Sequence, residues 1–173
     1  MPVSIIEIKA KCKHPDRVRQ ILLANNALFK GLDRQTDTYF NVPEGRLKLR
    51  EGNIENTLIY YQRPNQSGPK KSQVTYQKLS PENNIKNVLS TALGQLIRVV
   101  KSREIYFIDN VKFHIDEVQN LGHFVEIEAI DETGTLGLIK IREQCDYYIQ
   151  LFNIRPQDLI DVSYSDMLLK KNT

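Results

Sequence analysis

Five stretches of this chain place ionisable side chains at every second position, and that period decides most of what the chain can become. Arg46, Lys48 and Arg50 alternate with Leu47 and Leu49. Lys112, His114 and Asp116 alternate with Val111, Phe113 and Ile115, and Glu126 and Glu128 with Val125, Ile127 and Ala129. Glu7, Lys9 and Lys11 stand between Ile6, Ile8, Ala10 and Cys12, and Lys101 shares a face with Arg103. Successive side chains of an extended chain point to opposite faces, so each stretch predicts a strand with one apolar and one charged face. An antiparallel sheet with one solvated face alternates in the same way. Two features argue for another arrangement. The blocks are nearly pure in sign, basic at 46–50 and 101–103 and acidic at 126–128. Amphipathic helical stretches elsewhere also need apolar surface to cover, and if they pack outside, the charged faces turn inward.

Strands are expected over 4–12, 36–42, 45–51, 56–63, 73–78, 97–107, 110–117 and 123–130. Turn residues Pro43-Glu44-Gly45, Asp109-Asn110 and Asn120-Leu121-Gly122 separate several of them. His14-Pro15-Asp16 opens a helix carrying Val18, Ile21 and Leu22. Ser80-Pro81-Glu82 opens a second, whose stripe of Ile85, Val88, Leu89, Ala92 and Leu93 predicts a core-facing side closed by Gly94. A third runs over 135–152, and short helical turns are expected near 156–160 and 165–169. Asn65 to Lys71 reads as a basic loop, with Lys70-Lys71 solvated or closing over a ligand. The expected fold is α+β: an eight-stranded antiparallel β-barrel with helices outside, in one domain over residues 1–173.

A length of 173 residues suffices for a substantial core, and 24 basic against 21 acidic residues give only +3. Aromatics are few, Trp is absent, and the basic residues alternate with aliphatics, so a nucleic-acid partner is not expected. No apolar run reaches the length of a membrane span, and Glu7, Lys9 and Lys11 do not suit a secretory signal. Cys12 and Cys145 read as buried thiols of a cytoplasmic protein. A monomer or a homodimer is expected.

A closed lumen lined by Lys and Arg needs an anion, because unpaired buried charges cost several kcal/mol each. A triphosphate meets that need, and Arg engages it with two parallel hydrogen bonds. Glutamates in the same lumen would repel phosphate unless a hard cation such as Mg²⁺ or Mn²⁺ bridges the two. The basic blocks and the Glu-x-Glu pair therefore make one proposal, a metal–polyphosphate site.

The same segments carry a family likeness. Ile6-Glu7-Ile8-Lys9-Ala10-Lys11, Asp37-Thr38-Tyr39-Phe40, Gly45-Arg46-Leu47-Lys48-Leu49-Arg50-Glu51, Lys101-x-Arg103-x-x-Tyr106, His114-Ile115-Asp116 and Phe124-Val125-Glu126-Ile127-Glu128 resemble the CYTH superfamily. These are the triphosphate tunnel metalloenzymes, among them class IV adenylyl cyclases, thiamine triphosphatases and inorganic triphosphatases. The resemblance runs from the first strand to Ser163-Tyr164-Ser165-Asp166 and implies an eight-stranded tunnel. It implies phosphate binding by Lys9, Lys11, Arg46, Lys48, Arg50, Arg63, Lys101 and Arg103. It implies a metal on Glu7, Glu126 and Glu128, with Asp116 a further candidate. Where the family's first strand reads Glu-x-Glu-x-Lys, this chain has Ile5-Ile6-Glu7-Ile8-Lys9, so one carboxylate is replaced by Ile5. Tyr39, Asp37, Arg63, the 65–72 loop and Tyr164 look most like the cyclase-type branch. The resemblance thus implies an adenylyl cyclase-like enzyme forming cyclic AMP and pyrophosphate from ATP. A triphosphatase acting on thiamine triphosphate, nucleoside triphosphate or tripolyphosphate is the alternative, and a non-catalytic polyphosphate- or nucleotide-binding module a second.

Tyr39, His114 and Tyr164 are candidate substrate contacts. His114 also reads as a hydrogen-bonded structural histidine, and Tyr164 as a core tyrosine.

Overall fold

The computed structural model describes residues 3–173. In chain order the elements are β1 (Val3–Lys11), α1 (Pro15–Ala24), β2 (Leu28–Phe40), β3 (Arg46–Glu51), β4 (Asn56–Gln62), β5 (Lys70–Lys78) and α2 (Ile85–Leu93). There follow β6 (Gln95–Ile108), β7 (Val111–Val118), β8 (Gly122–Asp131), α3 (Leu138–Leu151), β9 (Leu159–Ile160) and α4 (Tyr164–Lys171). The sheet order is β5-β4-β3-β2-β6-β7-β8-β1-β9, and β5 pairs back onto β1, so eight antiparallel strands close into a barrel. The two-residue β9 adds to β1 at Lys9 and Ala10.

The main hydrophobic core lies outside the barrel wall. Ile6, Ile8 and Ala10 of β1, Val111, Phe113 and Ile115 of β7, and Val125, Ile127 and Ala129 of β8 face outward. There they meet Val18 and Leu22 of α1 and Ile141 and Cys145 of α3. Pro15 supplies a preset φ at the start of α1, and Asp16 sits favourably in its first turn. Phe113 is fully buried, edge-on to Tyr148 at 4.7 Å and to Phe152 at 5.6 Å. Both cysteines are buried and unlinked. A second cluster stoppers one end of the barrel. Ser163 caps α4 in a reciprocal capping box with Asp166, and Tyr164 and Leu168 pack on Tyr39, Val99, Val118 and Phe124.

Several expectations needed correction. β2 begins at Leu28, eight residues before the expected start, and over its first half the polar Asp33 and Gln35 are buried while Leu32 and Arg34 are exposed. The period of two holds there, but with polar residues inside and Leu32 outside no apolar face announces the strand. The pairing with β6 slips between Phe29 and Gly31, and Gly31 has φ 136, a backbone conformation that side-chain-bearing residues rarely adopt. β5 begins at Lys70, inside the segment read as a loop. Lys70 is buried and donates through Nζ to the Asp161 carbonyl at 3.1 Å, so it is neither a lid nor solvated. The second helix starts at Ile85 rather than Ser80, and no residue of it is buried; Val88 is 58% exposed. Its apolar stripe is covered only in part, at Ile85 and Leu89. α3 starts at Leu138, because Gly137 at φ 82 interrupts the run. The helical turn expected at 165–169 is a full helix, α4. No helix of the described residues is long and apolar enough to cross a membrane.

Candidate functional site

With the apolar faces turned out beneath α1 and α3, the charged faces enclose a cavity of about 660 Å³ inside the barrel. Each lining side chain arrives there by the alternation of its strand: Glu7 and Lys9 from β1, Lys48 and Arg50 from β3, Lys101 and Arg103 from β6, Glu126 and Glu128 from β8. His114 and Lys112 come from β7, Tyr39 and Asp37 from β2, and Arg63 from just beyond β4. The end beside Lys9 is closed by Tyr164; the other, at Val3, Ile130 and Tyr76, is the mouth.

The lumen supplies much of its own counter-charge. Asp37 is 1% exposed and accepts both Nε and Nη2 of Arg50, at 2.9 and 2.8 Å, and Nζ of Lys101 at 2.7 Å. Lys48 Nζ stands 3.6 Å away. Burial alone would raise the Asp37 pKa, but Arg50, Lys101 and Lys48 together hold it well below the usual carboxylate range. Burial pushes Lys101 down to about 7; Asp37 opposes that shift, while Arg50, Arg103 and Lys48 reinforce it. Arg103 forms a two-point pair with Asp116, 2.7 Å on each arm, and donates to Glu126 at 3.0 Å. Arg63 pairs with Glu7. Lys112 donates to Glu55 at 2.5 Å, and Arg50 reaches the same carboxylate at 3.3 Å. Glu55 is held in place by Asp33, which accepts the backbone N–H groups of Ile54 and Glu55, each at 2.9 Å.

Two ammonium groups are held differently. Lys9 Nζ lies 3.8 Å from the centre of the Tyr164 ring and 4.0 Å from Glu126, and burial lowers its pKa to about 8 against the pull of Glu126. Lys48 Nζ sits over Tyr61 and Tyr39, at 5.3 and 5.7 Å. Ring faces attract a cation without occupying its N–H donors, so Lys9 and Lys48 keep donors free to meet an anion.

His114 is 1% exposed, and neither ring nitrogen has a hydrogen-bond partner among the described residues. Its Nδ1 lies 3.8 Å from Glu126 and 3.9 Å from Glu128. Burial, aided by the charge of Arg103, lowers its pKa, which keeps the ring neutral with a free lone pair. One donor atom from each of His114, Glu126 and Glu128 falls within a common 4.8 Å. Two carboxylates and an unpartnered imidazole fit a divalent cation.

The structure therefore gathers Lys9, Lys48, Arg50, Arg63, Lys101 and Arg103 with Glu7, Glu126, Glu128, His114, Tyr39 and Tyr164 around one cavity. Three expected residues fall elsewhere. Lys11 keeps the register of Lys9 but emerges into solvent past the barrel end. Arg46 pairs with Asp166 at 2.9 Å and lines a neighbouring cleft of about 580 Å³. Asp116, fully buried, spends both oxygens on Arg103 and the Tyr164 hydroxyl, 2.7 Å away, which leaves it a counter-ion rather than a free metal ligand. His114 is not the hydrogen-bonded structural residue that its type suggests. Asp33 and Glu55 escaped the sequence reading. Glu55 carried only one signal, a lone acid in the turn between two strands, and Asp33 lies in a part of β2 where the buried residues are polar and Leu32 is exposed.

The CYTH domain model matches residues 5–156, most of the chain. The chain belongs to the CYTH family. No curated protein matches it in sequence. Solved structures similar to it include the PH1012 protein of Pyrococcus horikoshii, 21% identical, with a TM-score of 0.76 over 94% of this chain and 98% of that one. A candidate adenylate cyclase from Vibrio parahaemolyticus is 19% identical, with a TM-score of 0.79 over 95% and 97% of the two chains. HpAC1, a candidate adenylyl cyclase from Hippeastrum with a dominant triphosphatase activity, is 11% identical, with a TM-score of 0.63 over 98% and 95%. These likenesses establish the triphosphate tunnel fold. The helix that stoppers the lumen, α4, lies beyond the matched residues.

Proposed function

We propose that this CYTH protein is a metal-dependent enzyme acting on a triphosphate held in the barrel, with a cyclase-like reaction on ATP. One observation carries the reading: six cations, four of them buried (Lys9, Arg50, Lys101 and Arg103) and two half-buried (Lys48 and Arg63), share one cavity with a carboxylate–imidazole cluster. Lys9 and Lys48, with donors to spare, receive the phosphate chain first, and Arg50, Arg63, Lys101 and Arg103 lie within the same wall to surround it. Glu126, Glu128 and His114 would hold Mg²⁺ or Mn²⁺, with Glu7 opposite Glu128 across the strands. When bound, that ion neutralises phosphate oxygens beside the carboxylates and polarises the phosphorus. Asp116 has no part in it.

Transfer at phosphorus asks mainly for alignment and charge stabilisation. In cyclisation the ribose 3′-oxygen forms a bond to the α-phosphorus, the α–β bridging bond breaks, pyrophosphate leaves and the hydroxyl proton passes to solvent. Fixed guanidinium groups aimed at the terminal phosphates stabilise the charge that builds on that leaving group. The same cradle serves hydrolysis, the dominant activity of HpAC1 on this fold, so a triphosphatase is the second reading. A phosphate-binding module without turnover is the third.

The purified protein is incubated with ATP, thiamine triphosphate and tripolyphosphate, each with Mg²⁺ and with Mn²⁺, and products are resolved by phosphorus NMR. Cyclic nucleotide with pyrophosphate supports the cyclase; orthophosphate supports the triphosphatase. Binding that raises Tm without product makes the barrel a binding module. Absence of both turnover and stabilisation rejects the site.

A further inference from the structure

The turn between β3 and β4 folds into the barrel mouth instead of away from it. Asn53, Ile54 and Glu55 line the cavity, and beneath them Asp33 and Gln35 of β2 lie buried without lining it. Backbone groups pin the turn in place. Asp33 accepts the N–H groups of Ile54 and Glu55, each at 2.9 Å, while Asn53 accepts from the Arg34 N–H at 2.6 Å and donates to the Leu32 carbonyl at 3.1 Å. Glu55 therefore stands on a fixed post inside the barrel.

Its partner arrives on a flexible arm. Lys112 belongs to β7, two strands along the sheet from β2, so its 2.5 Å bond to Glu55 passes over β6. The next inward position on β7 is His114, and directly opposite Lys112 on β8 is Glu128. The ion pair thus lies on the mouth side of the His114–Glu126–Glu128 cluster. The exposed Lys30, Lys78 and Glu132 line the cavity further out. Lys112 has no other hydrogen-bond partner among the described residues, which leaves two of its three N–H donors unused. Glu55, by contrast, also accepts from Gln35 at 3.1 Å and from Arg50 at 3.3 Å. Releasing Lys112 would leave no bare carboxylate behind, and that makes this pair exchangeable.

We propose that the Glu55–Lys112 pair is a bar over the entrance to the carboxylate–imidazole cluster, opened by an incoming phosphoanion to which Lys112 then transfers. The proposal rests on reading the deep lumen as the phosphate site. Lys112 is then a further phosphate-binding residue, and Glu55 is its resting partner.

Inorganic tripolyphosphate, without added metal, is the probe for the full chain. Phosphorus exchange NMR gives its dissociation rate, calorimetry gives Kd, and the two together give the association rate. Glu55→Gln removes the bar, whereas Glu132→Gln removes one negative charge from the rim of the same cavity and leaves the bar intact. Association is expected to be at least about threefold faster in Glu55→Gln than in Glu132→Gln; equal rates would reduce the effect to charge steering and overturn the bar. Adding Lys112→Gln to Glu55→Gln should speed dissociation at least about tenfold, as for a lost charge-assisted bond. Lys78→Gln, which takes a cation from the rim, should change it less than about threefold. Dissociation unchanged by Lys112→Gln, or changed no more than by Lys78→Gln, overturns the transfer while sparing the phosphate cradle. If the double variant fails to fold, the comparison of Glu55→Gln with Glu132→Gln still decides the bar. If the natural sequence binds no tripolyphosphate, the phosphate site itself falls and the bar with it.

Discussion

The outward and inward faces of β1, β7 and β8 are built by opposite rules. Outside, Ile6, Ile8, Phe113, Ile115, Val125 and Ile127 contribute through apolar area removed from water, a term that is non-directional and roughly additive. Inside, Glu7, Lys9, His114, Glu126 and Glu128 gain only from partners at the right distance and angle, since a desolvated charge left alone is costly. The fold is held from the outside, and the lumen is charged enough to grip a polyanion because the outer core carries that cost. Asp37 and Asp116 show how the inner face survives without ligand, each accepting a guanidinium in a two-point pair.

The largest test of this contrast is on the outer face. Phe113→Ala should cost about 3–5 kcal/mol in urea denaturation, and a loss below about 1.5 kcal/mol would contradict an outer core. Next comes Asp37→Asn, which leaves Arg50 and Lys101 facing each other. It should cost about 3 kcal/mol, and added tripolyphosphate should raise its Tm by more than it raises that of the natural sequence. If ligand stabilises both equally, Asp37 is not the counter-ion that phosphate replaces.

A smaller effect concerns pH. Lys101 titrates near 7 in the free protein, and a bound polyanion raises that value, so binding takes up a proton wherever pH lies between the two. Affinity for tripolyphosphate should therefore fall as pH rises from 7 to 9, by roughly three- to tenfold, and calorimetry in buffers of different ionisation heat should register proton uptake. Affinity that rises over that window would contradict the assignment. The smallest expected difference separates two neighbours in register. Lys9→Ala should weaken tripolyphosphate binding about tenfold, as expected for a lost charge-assisted bond, whereas Lys11→Ala should change stability and binding by less than about 0.5 kcal/mol.

The period of two made the inner face legible wherever a strand was regular. Lys48 with Arg50, Lys101 with Arg103, and Glu126 with Glu128 were assigned to one lumen from alternation, and all six line it. Lys11 and Arg46 obey the same period but sit at strand ends, where facing inward no longer means being enclosed; alternation gives direction, not depth. What stayed hidden depends on which strand lies beside which. Asp37 is adjacent in sequence to nothing it neutralises, and it meets Arg50 and Lys101 only because β2 pairs with both β3 and β6. Glu55 needs the turn held by Asp33. For α2, the helical stripe was real, but a stripe does not say how much of it is covered.

The closure of the barrel through β1 also has a consequence in time. This first strand is completed by β5, β8 and β9, all of which follow it far along the chain. Loops spanning most of the sequence must therefore shut before a lumen exists, and contacts of such long range slow folding. No partly folded chain owns a cradle for phosphate. A polyphosphate should thus act on the finished molecule alone, lengthening its lifetime against unfolding while leaving the speed of its formation unchanged.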